Sequence, residues 1–183
     1  ITLEERSSLA RRIHALKNRR YVELVASGAL PLRAGVRELF DECAAAGLRM
    51  AIVTTTSRSN VQALLVAQVG ADWEPRFAAV GCAEDAPVKK PDPQAYRLVL
   101  ERLRLPAERT VAIEDSTMGL AAATAAGIPV VITRSRYFPD DPVRGALAVG
   151  PSLGTRAGWS PGLGGEPGRV GLADIRDWHE TRG

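Results

Sequence analysis

The sequence predicts an α/β fold built on a doubly wound parallel sheet, and three observations carry that prediction. Short, nearly continuous apolar runs alternate with helical stretches from residue 48 to residue 133. Runs of that kind suit strands buried on both faces, as in a parallel sheet covered by helices. Gly28, Gly47 and Gly70 stand where helical patterns stop. Crossovers between parallel strands are almost always right-handed, which makes the expected sheet doubly wound.

Taken in order, residues 2–27 place Leu3, Leu9, Ile13, Leu16, Tyr21, Leu24 and Val25 at helical spacing. "GALPLRAG" (28–35) reads as a turn or linker. A second helix carries Val36, Leu39, Phe40 and Cys43 on one face. Strands are then expected over 48–54, 77–82, 110–113 and 129–133, separated by helices over 60–70, 92–105 and 117–126. A further short strand is expected at 145–149. Residues 150–170 have the Gly and Pro density of a loop or tail, and "LADIRDWHE" (172–180) forms a closing helix.

Composition narrows the function classes. The 183 residues are 45% hydrophobic and 25% charged, enough for one domain with a core and an appendage. No apolar run approaches the roughly 20 residues of a membrane span. Cys43 and Cys82 lack metal-ligand spacing, and a cytoplasmic monomer is the expectation. The net charge of +3 is scattered, without the clustered basic face that nucleic-acid binding needs. Among the basic residues only Lys17, Lys89 and Lys90 are lysines. A chain that otherwise uses Arg has kept a compact ammonium at those places.

Chemistry concentrates at three predicted strand ends, where open parallel sheets bind ligands. The first is "TTTS", Thr54, Thr55, Thr56 and Ser57, a cluster of hydroxyls and backbone N–H groups suited to an anion. The second is "VKKPDP", where Pro91 biases Lys90 toward extended backbone and a fixed ammonium could neutralise a phosphate oxygen. The third is Glu114–Asp115–Ser116, carboxylates at a strand tip that suit Mg2+. Each set has an ordinary reading too: Ser57 or Ser59 as a helix N-cap, the lysines as a solvated loop, Asp115 or Ser116 as the next N-cap.

Together these motifs resemble the haloacid-dehalogenase-like hydrolases, in particular the β-phosphoglucomutase and CbbY-like branch, with a Rossmann-like core. Thr54 matches the second family motif, Lys90 in "KKPDP" the third, and "IEDSTMGLAAATAAG" the fourth. The resemblance implies that Thr54 hydrogen-bonds the transferring phosphoryl group and that Lys90 balances its charge. It also implies that Asp115 binds Mg2+, with Glu114 acting directly or through water. Residues 1–28 resemble the C-terminal part of a helical cap, and "KNRRY" its substrate-contacting motif, which makes Lys17 and Asn18 candidates. Residues 29–183 are then the core domain. The implied partner is a small phosphorylated metabolite, a sugar phosphate.

One family motif is not found. D-x-D-G-T, whose first aspartate attacks phosphorus and whose second acts as general acid and base, has no counterpart in the sequence. The acidic pairs Asp41–Glu42, Glu84–Asp85 and Asp140–Asp141 lack its strand and glycine. The chain begins with Ile1, and its first 28 residues read as the middle of something. The expectation is therefore a Mg2+-dependent phosphatase present as a fragment, inactive alone. A phosphomutase, or a nucleophile-less pseudo-phosphatase that binds a phosphorylated ligand, are the alternatives.

Overall fold

Among the described residues the apolar runs form five short strands: β1 (Met50–Val53), β2 (Phe77–Gly81), β3 (Ala112–Glu114), β4 (Val130–Thr133) and β5 (Ala148–Gly150). Six α-helices accompany them among the described residues: α1 (Leu3–Ala26), α2 (Val36–Ala45), α3 (Arg58–Val69), α4 (Gln94–Leu103), α5 (Thr117–Ala125) and α6 (Leu172–Glu180). The computed structural model describes residues 1–137 and 139–181. No helix among them is long and apolar enough to cross a membrane.

The ladders between the described strands are parallel, as the unbroken apolar runs require, and an isolated antiparallel bridge joins Val149 to Ser160. The described strands pair in two sets, β1 with β2 and β3–β4–β5, with no ladder between β1 and β3. Alternate residues point to opposite faces of a strand, and β4 makes this visible. Val130 and Ile132 pack under α5 with Leu120, Ala122 and Ala123. Val131 faces the other way, into a cluster of Leu39, Ile175 and Trp178 from α2 and α6. The β1–β2 pair repeats the arrangement. Ile52 and Phe77 meet Val61 and Leu65 of α3, while Ala51, Val53 and Ala79 meet Val99 and Leu103 of α4. Both faces are covered, so the sheet is doubly wound.

Element bounds shift by one to three residues, β5 standing at Ala148–Gly150 against the expected 145–149, and two segments show why. The strand expected from residue 110 begins at Ala112, because a short 3-10 turn at Ala107–Arg109 holds Thr110 through its N–H and hydroxyl. Residues 150–170 do lack extended regular structure, yet Leu153 and Trp159 are core residues. Trp159 stacks on Trp178 with ring centroids 4.8 Å apart and donates through Nε1 to the Thr155 carbonyl. Trp73, Trp159 and Trp178 are all buried in the core.

α1 stands apart in character. Thr2 and Glu5 form a capping box at its start, but only Val25 of its 24 residues is buried. Leu9, Ile13 and Leu16 lie exposed on it. After α1 the chain is pinned by Arg33, whose guanidinium donates to the Thr133 carbonyl and hydroxyl at 2.9 and 2.8 Å. It also donates to the carbonyls of Arg134 and Pro151 at 2.8 and 3.0 Å.

Candidate active site

The loop after β1 is ordered by its own hydroxyls. The Thr54 N–H donates to Gly81 of β2, and Thr54 Oγ1 accepts from the Thr56 N–H at 3.2 Å. Ser57 is the N-cap of α3, its hydroxyl accepting from the Asn60 N–H. The first helical N–H, on Arg58, already faces the Glu84 carboxylate at 3.1 Å to each oxygen. Thr55 is exposed and Thr56 half-buried.

Asn60 was not singled out from the sequence, and it ties this loop to α1. Its side-chain amide donates to Thr56 Oγ1 at 3.1 Å and to Asn18 Oδ1 at 3.2 Å. Asn18 is thus joined to the hydroxyl loop, while Lys17 is exposed beside it. Asn60 is buried beside Val61 and Leu65, but α3 carries other polar residues, so nothing in the sequence alone marks it out.

Lys90 and Glu114 meet at the junction of the two strand sets. The Lys90 ammonium donates to the Val53 carbonyl at the end of β1, at 3.1 Å, and to Glu114 Oε1 at the end of β3. Both side chains are largely out of water, 13% and 10% exposed. Tyr96 of α4 completes the group by donating its hydroxyl to the same Glu114 oxygen. Burial, and then the Glu114 charge, push the Tyr96 hydroxyl far above the ordinary tyrosine range, so it stays protonated and donates. Tyr96 was also missed. Among buried Ala95, Val99 and Leu103 it has the spacing of a core residue.

Glu114 is therefore turned toward Lys90, with its carboxylate lying over Gly119, where a Cβ would come within 2.0 Å of Oε2. Asp115 is exposed. Ser116 is the N-cap of α5, its hydroxyl accepting from Gly119 N–H at 3.2 Å. Among the described residues no group of three or more His, Cys, Asp or Glu is placed to hold a metal ion.

The acidic pairs elsewhere have other work. Asp41 pairs with Arg76, and Glu42 pairs with Arg169 and accepts the first N–H of α6, from Leu172, at 2.6 Å. Asp85 accepts from the Cys82 N–H at 2.8 Å and pairs with Arg58 and Arg102. Asp141 accepts from the Thr117 hydroxyl at 2.9 Å.

The hydroxyl loop thus stands at the carboxyl end of β1 and the acidic tip at that of β3, and the Lys90 ammonium touches both strand ends. The chain belongs to the haloacid dehalogenase-like hydrolase family, whose model matches residues 2–127. Within it, the chain is similar to protein CbbY of Cupriavidus necator, 48% identical over 171 residues, covering 91% of this chain and 66% of that protein. It is 44% identical over 129 residues to CbbY of Rhodobacter capsulatus, covering 70% of this chain and 57% of that one. The chain therefore spans about three fifths to two thirds of the length of these relatives. The crystal structure of CbbY from Rhodobacter sphaeroides in complex with phosphate superposes with a TM-score of 0.77 at 36% identity. That match covers 91% of this chain and 68% of the other. A variant of the same protein was solved in complex with xylulose 1,5-bisphosphate.

Proposed function

We propose that this chain supplies most of a Mg2+-dependent phosphatase acting on a small sugar phosphate through an aspartyl-phosphate. The observation that carries the reading is Lys90, whose ammonium sits between the ends of β1 and β3 and touches both. A further parallel strand between β1 and β3 would join the two sets into one sheet, and an aspartate at its end would face Lys90. In this reading the nucleophile comes from such a strand, outside these 183 residues. The chain alone is then inactive.

The roles of the residues present follow from their positions. Thr54, with Thr55 and Thr56 beyond it, would hydrogen-bond the transferring phosphoryl oxygens at the end of β1. Lys90 would balance the charge shared between that group and the nucleophile. Asp115, exposed and with no hydrogen-bond partner for its carboxylate among the described residues, would fit a Mg2+ ion, which takes one or two carboxylates and completes its shell with water and substrate phosphate. Glu114 would be the neighbouring acid, acting on the metal through water while its carboxylate stays with Lys90. Such a metal would supply neutralisation of phosphate charge. Ser116 would sit beside that site while capping α5.

Residues 1–28 are proposed as the C-terminal part of a cap. The exposed Leu9, Ile13 and Leu16 of α1 support this, since an apolar stripe of that kind packs on a partner element. Lys17 and Asn18 would then contact the part of the substrate that does not react. The xylulose 1,5-bisphosphate bound by the related CbbY makes a five-carbon sugar bisphosphate the first substrate to try.

The test is phosphate release from sugar phosphates in Mg2+ by the 183-residue chain, together with the DNA sequence upstream of its Ile1 codon. No release, with an in-frame apolar strand ending in D-x-D-G-T upstream, is expected. Release by the 183 residues alone would overturn the assignment of the nucleophile. A start codon with no such strand would favour a phosphoryl-ligand-binding protein instead.

A further inference from the structure

Lys90 is held by two different parts of one residue that belongs to none of the motifs. Its ammonium lies 4.8 Å from the centre of the Tyr96 ring and 3.5 Å from the Tyr96 oxygen. The same hydroxyl donates to Glu114 Oε1, the oxygen that Lys90 also engages. A lysine side chain is a flexible four-carbon stem with a freely turning head. Here the head is fixed from three sides, by the Val53 carbonyl, by Glu114 and by an aromatic face. Tyr96 itself is 5% exposed and anchored in the first turn of α4, whose Ala95, Val99 and Leu103 are buried.

We propose that Tyr96 is a positioning residue for Lys90, its ring bearing the ammonium and its hydroxyl holding Glu114 as the counter-charge at the β1–β3 junction. A phenylalanine would keep the ring and leave Glu114 Oε1 with one donor in place of two. The carboxylate would then be free to turn, and the ammonium would lose the partner that fixes it. The functional meaning rests on the reading of Lys90 as the charge-balancing group, but the contact itself does not.

The sequence offers a direct readout, because Lys17, Lys89 and Lys90 are its only lysines. Limiting acetic anhydride is added to the folded 183-residue chain, and acetylation at each lysine is measured by mass spectrometry. Lys89 is exposed and serves as the internal reference. Lys90 should react roughly tenfold more slowly than Lys89, as a charge-assisted hydrogen bond on a buried group implies. Tyr96→Phe should raise the Lys90 to Lys89 ratio several-fold while the Lys17 to Lys89 ratio and the circular dichroism stay unchanged. Equal labelling of Lys89 and Lys90 in the unaltered chain would overturn the proposal. So would a protected Lys90 whose ratio does not move in Tyr96→Phe. Should that variant not fold, nuclear Overhauser contacts between the Tyr96 ring and the Lys90 ε-methylene in the unaltered chain decide, and their absence overturns the proposal. A protected Lys90, with no phosphate released by the product of the complete reading frame, would sink the functional reading alone.

Discussion

Glu114 and Lys90 are two opposite charges held largely out of water, which makes their energetics asymmetric. Removing one partner of such a pair strands the other, at about 3–5 kcal/mol for fully buried pairs. Lys90→Met is expected to destabilise by about 3 kcal/mol on that scale, and Lys90→Met with Glu114→Gln by less than the sum of the two single changes. Urea unfolding of the four proteins measures this. The exposed Arg20–Glu23 pair on α1 is the contrast, and its removal should shift stability by less than about 0.5 kcal/mol. Asp85 gives the acid dependence. The Cys82 N–H, then Arg102, with Arg58 adding its charge, hold its carboxyl below the ordinary aspartate range. Because the folded value is the lower one, its stabilisation is present above about pH 4 and lost as pH falls through the folded value. Asp85→Asn should therefore lower stability at neutral pH and flatten the loss on acidification, read from urea midpoints across pH. The positions of Thr54 and Asp115 were legible because each sits just beyond an apolar run, and that of Lys90 because a lysine before proline stands out in a chain that otherwise uses Arg. Tyr96 and Asn60 were not, because a polar group on a buried helix face is recognised only once its partner on another element is known.

The start of α5 shows how an element shapes the site. Ser116 caps it, Gly119 has its α-carbon against the Glu114 carboxylate, and the acidic tip of β3 lies directly above. A Cβ at Gly119 would meet Glu114 Oε2 at 2.0 Å, so Gly119→Ala must displace the carboxylate from Lys90. A loss of about 1–3 kcal/mol is expected, as for other overpacking changes. Thermal unfolding measures it, and faster acetylation of Lys90 should accompany it. Helix starts were readable because Ser57 and Ser116 announce them. The end of α4 was not, because Arg104 takes the left-handed conformation there, φ 52°, where a glycine would have signalled it.

At the scale of the whole molecule, two features escaped the local pattern. Residues 150–170 have the composition of a loop, yet Trp159 inserts against Gly150 and Trp178 and closes the face of the β3–β4–β5 set that α2 and α6 cover. Local composition reports backbone regularity and says nothing of where a tryptophan lands. Trp159→Ala is expected to cost about 3–5 kcal/mol, measured by chemical denaturation. The second feature is the division of the strands into two sets, which periodicity along the chain cannot express, since it locates each strand singly and not its neighbours. That division puts Lys90 at the junction and gives the proposed nucleophile its place. The most direct measurement is therefore phosphate release from xylulose 1,5-bisphosphate in Mg2+ by the product of the complete reading frame, beside its Asp115→Asn variant. Asp115 is exposed, so the substitution tests chemistry with little burden on folding. Release that falls at least about a hundredfold in the variant is predicted, the scale of losing a charge-stabilising group. No release from the unaltered product, or equal release from both, would contradict the account.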